Sequence, residues 1–155
     1  MTALRARAWW VLAFFAVTLM VFGATDLAAG VNADPAITVA IAGRTPAEVL
    51  AEDPTGYRLA DFSARSLGLG LVIIGALMAA IVLIPYRSGQ RWAWNLMWIL
   101  PAWAAAVPLL YLAYGTAPNQ PPAPPMISGP LIAVLAAAVL LADRRRFSPT
   151  PPPGG

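Results

Sequence analysis

The chain has no cysteine, no histidine and no lysine. The first absence excludes disulfides, thiolate nucleophiles, Cys-ligated metals and quinone-linked dithiol chemistry. The second removes the commonest general base and the commonest metal ligand, so zinc proteases, Ser–His dyads and haem centres lack their parts. The third leaves arginine as the only cationic side chain, ten in all. With the many Ala, Gly and Pro residues, this reads as the codon bias of a GC-rich genome. No Gly-rich loop is followed by a lysine, which excludes the phosphate cradle of P-loop enzymes.

Charge of either sign is scarce, at 11% of residues, and it is unevenly spread. Four runs, residues 9–25, 67–84, 92–114 and 126–142, contain no Asp, Glu or Arg. They hold 17, 18, 23 and 17 residues. A helix rises about 1.5 Å per residue and a hydrocarbon core of ~30 Å needs roughly 17–25 apolar residues, so each run is long enough to cross a bilayer. The apolar content of 59% exceeds the ~45–50% usual in soluble domains. Inside lipid every backbone polar group must be paired within the protein, which helices achieve alone. A β-barrel needs alternating strands of about ten residues, and no such alternation is visible. At 155 residues there is room for one domain. The fold class expected is all-α: a transmembrane four-helix bundle over residues 1–146, with an outer helical cap over 26–66. The Pro-rich tail, 147–155, is expected to be disordered.

The charges that are present orient the bundle. Cytoplasmic flanks collect Arg and Lys. With both termini and the second loop inside, seven of ten arginines are cytoplasmic and six of seven acids are outside. The reverse threading leaves three arginines inside. The expected localisation is therefore the cell inner (plasma) membrane, multi-pass, N-in and C-in. The net charge of +3 and pI of about 10.0 would also fit nucleic acid, but the placement of the arginines assigns them to topology, and no nucleic-acid partner is expected. Arg5 and Arg7 before the first run also resemble a signal peptide, with Val21-Phe22-Gly23 or Ala28-Ala29-Gly30 as cleavage candidates. The run is long and both sites are poor, so a retained span is the preferred reading.

The first loop carries helix-start signals. Asp34-Pro35 caps an apolar turn over 36–42 that Gly43 stops. Thr45-Pro46-Ala47-Glu48 reads as a capping box, ending by Asp53-Pro54. A third helix begins near Thr55–Tyr57 and runs into the second span, with Asp61 and Arg65 four apart in the favourable order. Asp26, Asp61 and Arg65 all fall at the outer boundary, where one salt-bridge network could anchor the cap. Glu48, Glu52 and Asp53 cluster, but their spacing matches no calcium loop; solvated helix faces are preferred, and no metal ligand, cofactor or catalytic residue is assigned.

Small residues at four-residue spacing, Gly75 and Ala79 in the second span and Gly129, Ala133 and Ala137 in the fourth, let helix backbones approach closely. In the third span Pro101 and Pro108 free the carbonyls of Met97 and Ala104 and should bend the helix. Trp94, Trp98, Pro101, Ala105 and Pro108 share a stripe, and Trp103 lies near mid-membrane. The functional reading of Trp94, Trp98, Pro101, Trp103 and Pro108 is an aromatic-lined cavity for a hydrophobic ligand. The competing and preferred reading is lipid-facing aromatics with tolerated prolines. The third loop, 115–125, has five prolines and no charge, an extended connector. Asp143-Arg144-Arg145-Arg146 reads as a stop anchor, because three arginines fall short of the 4–8 that recognise anionic lipid.

Gly43-Arg44-Thr45-Pro46-Ala47-Glu48, Ala51-Glu52-Asp53-Pro54, Arg65 before a Gly-rich span, Arg91-Trp92-Ala93-Trp94 and Leu100-Pro101-Ala102-Trp103 together resemble small four-span membrane proteins common in GC-rich bacteria. The resemblance covers most of residues 9–142. It implies a fold and no activity. Proton-coupled pumps and exporters need an acid within the membrane, and the charge-free runs contain none. The function expected is that of a non-enzymatic integral membrane protein, an accessory or structural subunit or a binder of a lipid-like ligand. The expected partners are the bilayer, such a ligand or another membrane protein. A small homo-oligomeric transporter is the alternative, and a membrane enzyme using cap carboxylates comes last.

Overall fold

The computed structural model describes residues 8–147. Arg5, Arg7 and the tail from Ser148 lie outside the described residues. Within them the chain is helical, with no strand.

The first helix, α1 (Ala8–Ala29), outruns its charge-free stretch and carries Asp26 into its last turns. Thr18 and Thr25 do not interrupt it, because their hydroxyls donate back to the carbonyls of Phe14 and Phe22 at 2.9 and 2.7 Å. A 3-10 turn, Gly30–Asn32, follows. α2 (Pro35–Ala42) starts where Asp34 accepts from the Ala36 N–H and stops at Gly43, whose φ of 70° is left-handed. α3 (Pro46–Glu52) carries the full capping box. The Glu48 carboxylate accepts from the Thr45 N–H at 2.7 Å, and that backbone bond, then the Thr45 hydroxyl, holds it below the usual carboxylate range. Asp53 closes α3 and caps the next helix through the Gly56 N–H at 2.9 Å.

α4 (Pro54–Ile81) continues through a π-helical turn, Val82–Tyr86. The 33 residues span about 50 Å, well beyond a ~30 Å hydrocarbon core. The π turn has a cause: Pro85 has no N–H to give, and wider bonds from Arg87 to the Val82 carbonyl and from Gln90 to the Pro85 carbonyl carry the chain past it. The expected third span is two helices, α5 (Arg91–Met97) and α6 (Ile99–Tyr114). The break falls at Trp98, next to Met97, whose carbonyl faces the donor that Pro101 lacks. Pro108 stays inside α6. α7 (Pro124–Asp143) is closed by a 3-10 turn, Arg144–Phe147. Phe147, expected to begin a disordered tail, is instead buried at 6% exposure.

Four segments, Ala8–Asn32, Pro54–Tyr86, Arg91–Tyr114 and Pro124–Phe147, are long and apolar enough to cross a membrane. This is the make-up of a multi-pass membrane protein. They form two antiparallel pairs, α1 with α4 and α6 with α7. The pairs join through α1 against α7 and through the π turn against α5. The buried cluster lies toward the end that carries Arg87, Arg91 and Arg144 to Arg146, here the arginine end; Leu12, Phe15, Tyr86, Met97 and Leu140 are its large members. At the opposite end the loop before α7 returns to the short helices, where the Ala117 N–H donates to the Ala40 carbonyl at 2.8 Å.

Small residues mark both pair interfaces. Gly68 and Gly75 of α4 are buried against α1, and Gly129 of α7 against α6. A β-carbon on Gly129 would sit 2.8 Å from the Ala104 carbonyl and 3.0 Å from the Pro108 ring. The carbonyl that Pro108 leaves without a donor is thus covered by the closest approach of the neighbouring helix.

Candidate functional site

Several polar side chains of the bundle join one element to another. At the connector end, α1 finishes with carbonyls that have no partner within the helix. Arg65 on α4 supplies it: its Nη1 donates to the carbonyls of Leu27 and Ala28, both at 2.8 Å. Its Nε donates to Asp61 at 2.8 Å, and Asp61 accepts from the Val31 N–H at 3.2 Å. Gly30, with φ of 59°, lets the chain turn tightly enough for this, since a β-carbon there would fall 1.8 Å from the Asp61 carboxylate. Of the three residues expected to form one network, Asp61 and Arg65 are together. Asp26 is not their partner; its β-carbon lies against Gly68. The cationic arginine also sits where the helix dipole is negative. Arg65→Ala should cost about 1–2 kcal/mol, less than a fully buried charged bond because the side chain is partly in solvent. A lowered melting temperature in detergent measures it, and wild-type melting would show that α1 and α4 hold without this cluster.

The loop carboxylates also have assigned roles. Arg44 donates to Glu52, Glu48 completes its capping box and Asp53 caps α4.

The aromatic residues of the third span do not converge. Trp94 and Trp98 pack edge to face at 5.9 Å beside the buried cluster. Pro101 is buried, and Pro108 touches α7 near Gly129. Trp103 stands 42% exposed on the outside of the bundle. Trp103 is exposed, whereas the other four are buried or half-buried.

The site that sequence reasoning missed lies at the arginine end. The π turn places Tyr86 fully inside, and α7 ends with Asp143 at 1% exposure. The Tyr86 hydroxyl donates to Asp143 Oδ2 at 3.0 Å. Asp143 Oδ1 is buried with no hydrogen-bond partner. Phe147 covers the pair, its ring 5.0 Å from Tyr86 and 6.2 Å from Trp94. The Trp94 indole N–H donates to the Leu140 carbonyl at 3.0 Å, pairing α5 with the end of α7. Arg146 donates to the Arg87 carbonyl, and the Arg87 guanidinium lies 4.9 Å over the Trp9 ring. Asp143 is therefore not an outward-facing part of a stop anchor. It is a buried acid at the end of the bundle, one residue past the charge-free run.

Neither a known family model, nor a curated protein, nor a solved structure matches this chain.

The signal for Asp143 was helical register. Ala136, Leu140 and Asp143 fall seven, then three, residues before the helix end on one face, and all three are buried. A buried carboxylate with one oxygen unpartnered can accept one further hydrogen bond. Bonded to Tyr86, Asp143 is a contact that locks the end of α7 to the π turn.

Proposed function

We propose that the protein is a non-enzymatic, multi-pass protein of the plasma membrane that serves as an accessory or structural subunit. In this reading both termini are cytoplasmic, and the short helices α2 and α3 form an extracytoplasmic cap. The observation that carries it is the use of its polar groups. Arg65, Asp61, Trp94, Tyr86 and Arg146 bond to other elements of the same chain, and the loop carboxylates cap helices or pair with Arg44. The arginine distribution supports the orientation. Kinship with the small four-span membrane proteins of GC-rich bacteria is part of the same proposal.

A second reading, a small homo-oligomeric transporter, draws on Asp143. Intramembrane acids are costly and mark ion pathways, and this one keeps an unpartnered oxygen. Flux separates the two. A protein that remains in a larger complex in mild detergent and shows no proton-driven flux in liposomes is the accessory subunit. Proton-coupled uptake by the purified chain, lost in Asp143→Asn, would replace that reading with transport.

The threading has its own test. The chain has no native cysteine, and Ala47 and Ser88 are both exposed, one on α3 and one beside the π turn. In intact cells an impermeant maleimide should label Ala47→Cys and leave Ser88→Cys unlabelled until the membrane is opened. The opposite pattern would invert the topology.

A further inference from the structure

We propose that the arginine end binds the headgroup of an anionic phospholipid. The proposal rests on the membrane reading above and goes beyond it by naming a ligand class and a place.

Two short arginine segments make the site, and neither suffices alone. Arg87 and Arg91 flank the turn after the π helix, and Arg144, Arg145 and Arg146 close α7. The fold brings them together: Tyr86 bonds Asp143, Phe147 packs on Tyr86 and Trp94, and Arg146 donates to the Arg87 carbonyl. All five arginines are exposed. Five cationic groups reach the 4–8 that recognise anionic lipid beside a membrane helix.

Positive charge is in excess at this end. Asp143 is the sole acid at this end among the described residues, and it is 1% exposed with Oδ2 bound to Tyr86. It positions the arginine-bearing turn without meeting the surface. Trp10 and Trp92, 61% and 53% exposed, flank the arginines, and tryptophan prefers the headgroup layer. The ligand is thus placed at the level where lipid phosphates lie. Arginine adds shape, because its planar fork can give two parallel hydrogen bonds to one phosphate. A headgroup phosphodiester with acyl chains alongside α5 and α7 satisfies both the charge and the apolar flank.

Arg91 and Arg145 make the cleanest test, since neither has a hydrogen bond or ion pair within the described residues. Full-length protein in mild detergent is titrated with phosphatidylglycerol or phosphatidylcholine of the same acyl chains, and bound lipid is counted by native mass spectrometry. Phosphatidylglycerol should be retained in preference, and Arg91→Gln/Arg145→Gln should weaken it by about tenfold or more. The control, Arg44→Gln/Arg58→Gln at the opposite end, should retain it. Equal retention of the two lipids would overturn the proposal. So would undiminished binding by the Arg91/Arg145 variant, or equal binding of glycerol phosphate without acyl chains, which would make the ligand a soluble anion. Failure of the membrane reading shows separately, as release of the wild-type protein from membranes by alkaline carbonate.

Discussion

Gly68→Val will drive α1 and α4 apart and melt the detergent-solubilised protein well below wild type. The contact leaves no room for a side chain. A β-carbon on Gly68 would lie 2.5 Å from the Leu27 nitrogen, 2.7 Å from the Gly23 carbonyl oxygen and 2.8 Å from the Asp26 β-carbon. Two of these are backbone atoms, so no rotamer change relieves the overlap. Gly23 is in the same position from the other side, with the Gly68 carbonyl oxygen 2.6 Å from its own β-carbon site. Lipid gives no hydrophobic drive between helices, so association here depends on close packing, to which Cα–H···O contacts add. Overpacking costs about 1–3 kcal/mol even where side chains can yield. With backbone on both sides the upper end applies, a fall of roughly 6–12 °C for a chain of this size. Gly70 is the internal control, because a β-carbon there meets nothing within 4 Å. Gly70→Ala should melt with wild type or slightly above it. Equal melting of Gly68→Val and Gly70→Ala would refute the close contact.

The second large effect is expected at Tyr86→Phe. The hydroxyl is the hydrogen-bond donor to Asp143, whose other oxygen has none. Its removal leaves a buried carboxylate with both oxygens unpartnered. Hydrogen bonds to charged groups contribute about 1.5–3 kcal/mol, and stranding a buried polar group adds its desolvation. Tyr86→Phe should therefore destabilise by roughly 2–3 kcal/mol. Because the cost comes from the stranded partner, Tyr86→Phe/Asp143→Leu should recover most of it, since replacing both members of a buried pair is often near neutral. A double variant as unstable as the sum of the single ones would show that the two side chains act independently, and that the bond is not what holds α4 to α7.

The parts of this structure legible in the sequence are those governed by near neighbours. Asp34, Thr45, Pro54 and Gly43 marked helix ends because a cap acts on the next few residues. The four crossings were legible because an apolar run of sufficient length has few alternatives in a helical protein. What escaped depends on distant partners. Asp143 read as a surface acid because three arginines follow it, and its burial needs Tyr86, 57 residues earlier. Phe147 read as the start of a tail because prolines follow soon after, and its docking needs Tyr86 and Trp94. Arg65 was visible as a partner for Asp61, but its bonds to the Leu27 and Ala28 carbonyls follow from where α1 stops, which the charge-free run placed several residues early. The break of the third span was legible at Pro101, which frees the Met97 carbonyl beside the opening at Trp98, whereas Pro108, read the same way, stays inside a continuous α6.

The Tyr86–Asp143 bond also bears on the order of assembly. Its tyrosine leaves the ribosome with the first helix pair, and its carboxylate is the final residue of α7. The α1–α4 pair, already complete through its glycine contacts, can close while the later helices are still being made. The latch between the two pairs cannot. It has to wait for the last residue of α7, so a nascent protein stalled before Asp143 would carry its helix pairs without this bond between them.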